Sequence, residues 1–281
     1  MKKILITGAN SYIGTNLKRW LGKYPDKYYV DTVSTRGDAW KNKDFSEFDV
    51  VFHVAGIAHI KETKKNQDLY YKVNRDLAFE IAKKAKANGV KQFIFLSSMS
   101  VYGIENGVID ENTPLNPQGN YGISKLQAEE LILPLDDDSF KVAVLRPPMI
   151  YGKGCKGNYP RLAKLTLKTP IFPDVDNKRS MIYIDNLSEF VRLIIDSCIN
   201  GMFFPQNSEY VNTSEMVKLI AKAHGKKIRI TKLFNPLLSL LNLSIVNKVF
   251  GDLVYKKELS AFNNQYNVYS FLDSIKITEV N

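Results

Sequence analysis

Short apolar runs alternate with stretches of helical periodicity through the first half of the chain. Ile4–Thr7, Val30–Ser34, Val50–Val54, Phe93–Ser97 and Val142–Leu145 have the length and flanks of buried strands. Between them, Leu17–Leu21, Leu69–Asn88 and Ser124–Leu133 repeat apolar residues at helical spacing. Strands separated by helices need right-handed crossovers, so the pattern predicts an α/β fold: a doubly wound parallel sheet covered on both faces. After Gly152 the rhythm breaks. Ile182–Ile184 and a helix from Asn186 to Ile195 are expected to return to the main fold. The expected division is 1–159 and 181–200 for the main domain, with 160–180 and 201–281 as a smaller interleaved lobe towards the C-terminus.

The first run stops at Gly8-Ala9-Asn10-Ser11-Tyr12-Ile13-Gly14, and a helical pattern (Leu17, Trp20, Leu21) follows. Strand, glycine turn and helix start form the Rossmann-type layout in which backbone N–H groups and the helix dipole hold a pyrophosphate. The strict G-x-G-x-x-G fingerprint is absent, because Asn10 and Ile13 occupy its second and third glycine positions. A turn that needs glycine only for its backbone angles is the plainer alternative. Its place directly after the first strand favours a dinucleotide.

Tyr121 and Lys125 stand four residues apart in Asn-Tyr-Gly-Ile-Ser-Lys, one helical turn along the same face. A phenol titrates at about 10 and is a poor base near neutrality. A fixed ammonium one turn away is expected to favour the phenolate and bring the hydroxyl to proton-transfer duty. Ser98 closes a buried strand and adds a hydroxyl at its carboxyl end.

Composition narrows this further. At 281 residues with 44% apolar content, a large α/β unit with an appended lobe can bury its core. Cys155 and Cys198 make neither a disulfide framework nor a zinc spacing, and Cys155 reads as an idle loop residue rather than a nucleophile. His53, His59 and His224 are scattered, so no metal site is expected; His53 reads as packed near the cofactor. The net charge of +10 invites a nucleic-acid reading, yet the lysine clusters (Lys61, Lys64, Lys65; Lys83, Lys84, Lys86) fall on helical patterns, and no aromatic-and-basic recognition motif accompanies them. Leu233–Leu253 is leucine-rich but broken by Asn235, Pro236, Asn242, Asn247 and Lys248, too polar for a bilayer span. A substrate-lobe helix is expected there rather than a membrane contact. Met1-Lys-Lys runs straight into the first strand without a signal sequence, so a cytoplasmic protein is expected.

In order along the chain, these motifs resemble the extended short-chain dehydrogenase/reductase family of the NAD-dependent epimerase/dehydratase type, which modifies nucleotide sugars. The opening is similar to the family's G-x-x-G-x-x-G, with Ser11 at the middle glycine. Asp49–Gly56 resembles its third-strand motif, and Val73-Asn74 the Val-Asn that follows. Ser97-Ser-Met-Ser-Val-Tyr-Gly103, Tyr121 with Lys125, Leu145–Gly152, Lys156-Gly-Asn158 and Arg179–Asn186 resemble the remaining motifs. The resemblance implies Ser98, Tyr121 and Lys125 as catalytic residues. It implies a cofactor held by Gly8, Asn10, Ser11, Tyr12, Ile13, Gly14, Arg36, Val54, Ala55, Gly56, Asn74, Tyr121, Lys125 and Pro147. Ser98, Ser100, Tyr121, Asn158 and Arg179 would meet a nucleotide sugar, with UDP the favoured carrier. A homodimer is expected.

Family dehydratases carry Asp-Glu after the catalytic hydroxyl; here Met99 and Ser100 cannot act as an acid–base pair, so dehydration is not expected. Asp31 sits at about the distance at which a carboxylate binds the ribose of NAD, but the strand continues past it. Ser34, Thr35 and Arg36 stand at the strand's end and suit a 2′-phosphate, which favours NADP(H) over NAD. A 4-epimerase and a 4-keto sugar nucleotide reductase would use the same apparatus. A non-catalytic NAD(P)-sensing module is the reading from another class, and the retained Ser98, Tyr121 and Lys125 argue against it.

Overall fold

The computed structural model of the protein describes residues 1–58, 60, 62–63, 65–235, 249–262 and 265–280. The chain forms two compact units. Met1–Gly103, Pro114–Pro147 and Leu187–Pro205 make the first; Ile104–Thr113, Pro148–Asn186 and Gln206–Asn281 make the second.

The first unit is built on six strands: β1 (Lys2–Thr7), β2 (Tyr28–Val33), β3 (Val50–His53), β4 (Gln92–Leu96), β5 (Lys141–Leu145) and β6 (Gly201–Phe203). All pair in parallel in the order β2-β1-β3-β4-β5-β6. The order reverses between β1 and β3, the switch point outside whose carboxyl ends open α/β sheets bind ligands. The apolar runs are continuous because helices cover both faces. Leu5, Val51, Phe93, Phe95, Val142 and Val144 pack on one face against Ala78, Ile81, Ala82 and Ala85 of the helix Leu77–Ala87 and against Ala128 and Ile132 of the helix Asn120–Ile132. Each such fully buried large side chain contributes roughly 1.5–3 kcal/mol.

Five strands lie where the hydrophobic runs predict them, with Ser34, Val54 and Ser97 just past the strand ends. The sixth differs. Gly201–Phe203 is expected in the substrate lobe but pairs with Ala143–Leu145 as the edge of the main sheet. Conversely, Met181–Tyr183 is expected in the main fold but pairs with Met149–Tyr151 in a two-stranded sheet of the second unit. Both are three-residue strands, too short for a period to show their partner. The helix Ile184–Ser197 belongs to the first unit only from Leu187 onward.

Leu69–Asn88 is not one helix. A short helix Gln67–Tyr70 opens into a wide π-helical turn, Tyr71–Asp76, before Leu77–Ala87. The lysine cluster there is locally engaged: Lys84 donates to the Lys41 carbonyl at 2.9 Å, and Lys86 meets Asp137 at 2.6 Å.

The second unit adds parallel pairs Gly107–Ile109 with Leu253–Tyr255 and Ile171–Pro173 with Arg229–Thr231. Among the described residues, its helices include Asn158–Lys168, Thr213–Ala223 and Phe271–Glu279. Glu279 ties all three, accepting from the Tyr159 hydroxyl at 2.6 Å and meeting His224 Nε2 at 2.7 Å. Most of the leucine-rich stretch, residues 236–248, lies outside the described residues, as do His59, Lys61 and Lys64. No helix among the described residues is long and apolar enough to cross a membrane.

Candidate active site

The glycine turn leaves β1 at the switch point. Gly8 adopts φ +97°, and a Cβ there would stand 3.0 Å from the Ala55 nitrogen, so the turn passes against the chain leaving β3 without a side chain between. Ser11 replaces the middle glycine without loss of the helix start. Its hydroxyl accepts the Gly14 N–H at 3.0 Å and caps the helix Tyr12–Leu21. Gly14 is needed because a Cβ would meet Ser11 Oγ at 2.7 Å and Ile6 Cγ2 at 2.9 Å. Asn10 is exposed, while Tyr12 and Ile13 are half-buried beside it.

Across the switch point, Val54 and Ala55 are buried and Gly56 is exposed. A Cβ at Gly56 would lie 3.1 Å from Asn74 Oδ1 and 3.5 Å from Lys125 Nζ. Bare backbone at Gly8 and Gly56 therefore makes a cradle that fits a dinucleotide along the strand ends. Asn74 sits in the π-helical turn, fully buried. Its amide accepts from Ile57 N at 2.8 Å and donates to the Ile57 carbonyl at 3.0 Å and to Ser124 Oγ at 3.1 Å, so it ties the cradle's wall to the helix of Tyr121. A widened turn at such a position is a recurrent functional device.

The helix Asn120–Ile132 begins without a side-chain cap from Gly119. Glu62 supplies one from outside: its carboxylate accepts from Asn120 N at 3.3 Å, Asn120 Nδ2 at 3.1 Å and Tyr121 N at 3.3 Å. Lys125 is buried, donates to the Leu96 carbonyl at 2.8 Å and lies 4.6 Å from the Phe95 ring centroid. Burial pushes its ammonium down to about 8, and the Glu129 charge opposes that shift. Ser98 caps the short turn Met99–Tyr102, its hydroxyl accepting the Ser100 N–H and donating to Ser100 Oγ, both at 3.1 Å.

Burial raises the Tyr121 phenol, and a hydrogen bond with Ser98 draws it back. The two hydroxyls expected from the sequence are thus brought together. The expected lowering of the phenol by Lys125 is not seen. The ammonium is turned to the Leu96 carbonyl, and desolvation of the ring dominates the phenol.

Other side chains take clear places. Asp31 lies inside β2, opposite Leu5, and its carboxylate is held by Lys43 at 2.7 Å. Beyond Val33, whose carbonyl accepts from Gly8 N at 2.9 Å, come exposed Ser34, Thr35 and exposed Arg36, with the Arg36 N–H donating to Ser34 Oγ at 3.2 Å. Pro147 is buried, and its carbonyl accepts from Met99 N at 3.0 Å. His53 is a core residue: Nδ1 pairs with Thr7 Oγ1 at 2.7 Å, and the ring stacks on Phe93 and Phe95. Burial, with Lys125 nearby, holds it neutral down to about 3.

Burial pushes the Cys155 thiol up, which suits an idle residue and not a nucleophile. Asn158 is exposed at the start of its helix in the second unit. Arg179, on a separate element of that unit, donates to the Gly251 carbonyl at 2.8 Å, and burial lowers its pKa. Among the described residues no cluster of His, Cys, Asp and Glu could hold a metal ion.

Three further contributors stand outside the residues the sequence singles out. Glu62 caps the helix Asn120–Ile132 from a loop 58 residues away. Gly122 lets that helix approach the Met99–Tyr102 turn. Glu129 and Arg146 form a buried pair across 17 residues. Only Gly122 was visible, as the small residue within the Tyr–Lys motif.

The model of the NAD dependent epimerase/dehydratase family matches residues 4–202, and the chain belongs to that family. It is 33% identical over 256 residues to the UDP-glucose 4-epimerase of Vibrio cholerae, covering 80% of this chain and 76% of that one. It is 28% identical over 246 residues to an Escherichia coli O157:H7 epimerase acting on N-acetyl-α-D-glucosaminyl-diphospho-ditrans,octacis-undecaprenol, covering 80% and 73%. Among solved structures, the UDP-glucuronic acid 4-epimerase of Bacillus cereus in complex with NAD shares the fold with a TM-score of 0.76, at 21% identity over 99% of this chain and 97% of that one.

Proposed function

We propose that the protein is an NAD(P)-dependent 4-epimerase of a diphosphate-linked sugar, with UDP as the favoured carrier. The observation that carries this reading is the grouping of Ser98, Tyr121 and Lys125 at the carboxyl end of β4, beside the bare-backbone cradle of Gly8 and Gly56. A bound nicotinamide supplies the hydride acceptor and donor. Tyr121 would take the proton of the sugar's 4-hydroxyl and later return it to the same oxygen. Ser98 hydrogen-bonds the same oxygen. Lys125, brought down to about 8 by burial and bound to the Leu96 carbonyl, would supply positive charge one helical turn from Tyr121. Ser100 would extend the hydroxyl pair towards the sugar, and Asn158 and Arg179 would hold the diphosphate. A homodimer acting in the cytoplasm completes the proposal.

The second reading, a 4-keto reductase using NADPH, is favoured by the end of β2. Asp31 is committed to Lys43, and the hydroxyl of Ser34 with the guanidinium of Arg36 just past the strand would suit a 2′-phosphate. The same feature supports NADP(H) over NAD.

The test is to purify the protein, denature it, identify any nucleotide released, and assay it on UDP-glucose, UDP-N-acetylglucosamine and UDP-glucuronate. Retained dinucleotide with interconversion of the 4-epimers is the expected result. An empty site, with stoichiometric oxidation of NADPH on a 4-keto sugar, selects the reductase. A Tyr121→Phe variant with unaltered turnover would defeat both.

A further inference from the structure

Beneath the candidate active site lies one buried ion pair. Glu129 and Arg146 are 1% and 6% exposed, and the guanidinium reaches both carboxylate oxygens, with Arg146 Nε 3.1 Å and 3.2 Å from them. The Ser97 hydroxyl donates to the same carboxylate, and Arg146 Nη1 donates to the Tyr102 hydroxyl at 3.0 Å. Each partner is tied to a working residue. Ser97 precedes Ser98; Tyr102 ends the turn that Ser98 caps; Glu129 lies one helical turn beyond Lys125; Arg146 precedes Pro147, whose carbonyl holds Met99.

We propose that Glu129 is a positioning residue of this enzyme. Its single carboxylate fixes the β4 end bearing Ser98, the helix bearing Tyr121 and Lys125, and the β5 end bearing Arg146 in one register. This rests on the catalytic reading given above. A carboxylate so deeply buried is retained only when paired, and removing one partner leaves the other charge uncompensated. Orientation of reacting groups is worth large factors in rate, so a small slip among three elements is felt in turnover. Among the described residues, the Leu96 carbonyl, the Phe95 ring, neutral His53 and the Gly56 backbone beside Asn74 surround the Lys125 ammonium, and the charge of Glu129 raises its pKa.

Glu129→Gln in the full chain is the direct test. Turnover on whichever UDP-sugar the wild type converts should fall about tenfold or more, with KM little changed. Competitive amine labelling read by mass spectrometry titrates Lys125 without any substrate, and its midpoint should move to lower pH in the variant. The alkaline limb of the pH–rate profile should follow it. A merely structural carboxylate would lower the folded fraction and leave both untouched. A folded Glu129→Gln protein with wild-type turnover and an unmoved Lys125 midpoint overturns the inference. Should that variant fail to fold, Ser97→Ala removes one bond and leaves the ion pair intact; turnover should drop about threefold or more, and an unchanged rate overturns the inference. Failure of the catalytic reading looks different, since Tyr121→Phe would then remain active.

Discussion

Gly122 stands against the Ser100 carbonyl so closely that a Cβ built on it would lie 2.6 Å from that oxygen and 2.9 Å from Pro117 Cβ. The helix carrying Tyr121 and the turn capped by Ser98 therefore meet through backbone, and the missing side chain sets the separation of the two hydroxyls. Gly122→Ala must push helix and turn apart. Turnover should fall about tenfold or more while cofactor affinity stays within a few-fold, since the glycine cradle is elsewhere. Steady-state rates beside a cofactor titration decide it; a fully active Gly122→Ala protein would show that the turn gives way freely.

Lys125 destabilises the fold it serves. Its folded pKa of about 8 lies below the 10.5 of the unfolded chain, so between those values the unfolded state binds more protons and stability rises with pH. A shift of that size is about 3 kcal/mol at most, offset by about 1 kcal/mol for the bond to Leu96. Lys125→Met should be inactive yet more stable at pH 7, with the advantage shrinking as pH climbs from about 8 towards 10.5. Denaturant melts across that range provide the check, and a pH-independent difference contradicts it.

His53 acts at the opposite end of the scale. Held neutral to about 3 against an ordinary 6.5, it favours the unfolded state as pH falls through that window, because only the unfolded imidazole takes up the proton. Up to about 1.4 kcal/mol per pH unit follows for one proton. His53→Phe keeps the stacking volume and should flatten the acid limb of stability by about one proton, at the expense of the Thr7 bond. Urea midpoints between pH 6.5 and 4 measure it; an unaltered slope assigns acid sensitivity to other groups.

Arg36 tests the cofactor proposal. Arg36→Ala should weaken NADPH binding about tenfold or more, the worth of a charged contact to phosphate, and leave NADH unaffected. Fluorescence titration with both dinucleotides distinguishes the outcomes. Equal losses for both would return Arg36 to the role of a solvated loop residue.

Much of this arrangement is legible in the sequence. Ile4–Thr7 followed by Gly8 and Gly14, and Tyr121 with Lys125 on one face, are local patterns in which neighbours in sequence are neighbours in space. Ser11 was harder: a side chain at a glycine position reads as a defect, and only its bond to Gly14 shows it to be a cap. The pair Glu129–Arg146, the bond from Asn74 to Ser124 and the cap supplied by Glu62 join residues distant along the chain, and no periodicity encodes such meetings. Strand β6 was misplaced for a related reason. One exposed and two half-buried edge residues have no alternation, and their partner, β5, precedes them by more than fifty residues.

That late edge strand has a consequence for biosynthesis. The sheet cannot be completed when β5 leaves the ribosome, because Gly201–Phe203 and the helical segment from Leu187 are translated only after a long stretch of the other unit. An N-terminal fragment ending near residue 159 would present the unpaired outer edge of hydrophobic β5 to whatever strand came first. Such a truncation should be recovered from cells as aggregate rather than as a separable nucleotide-binding half.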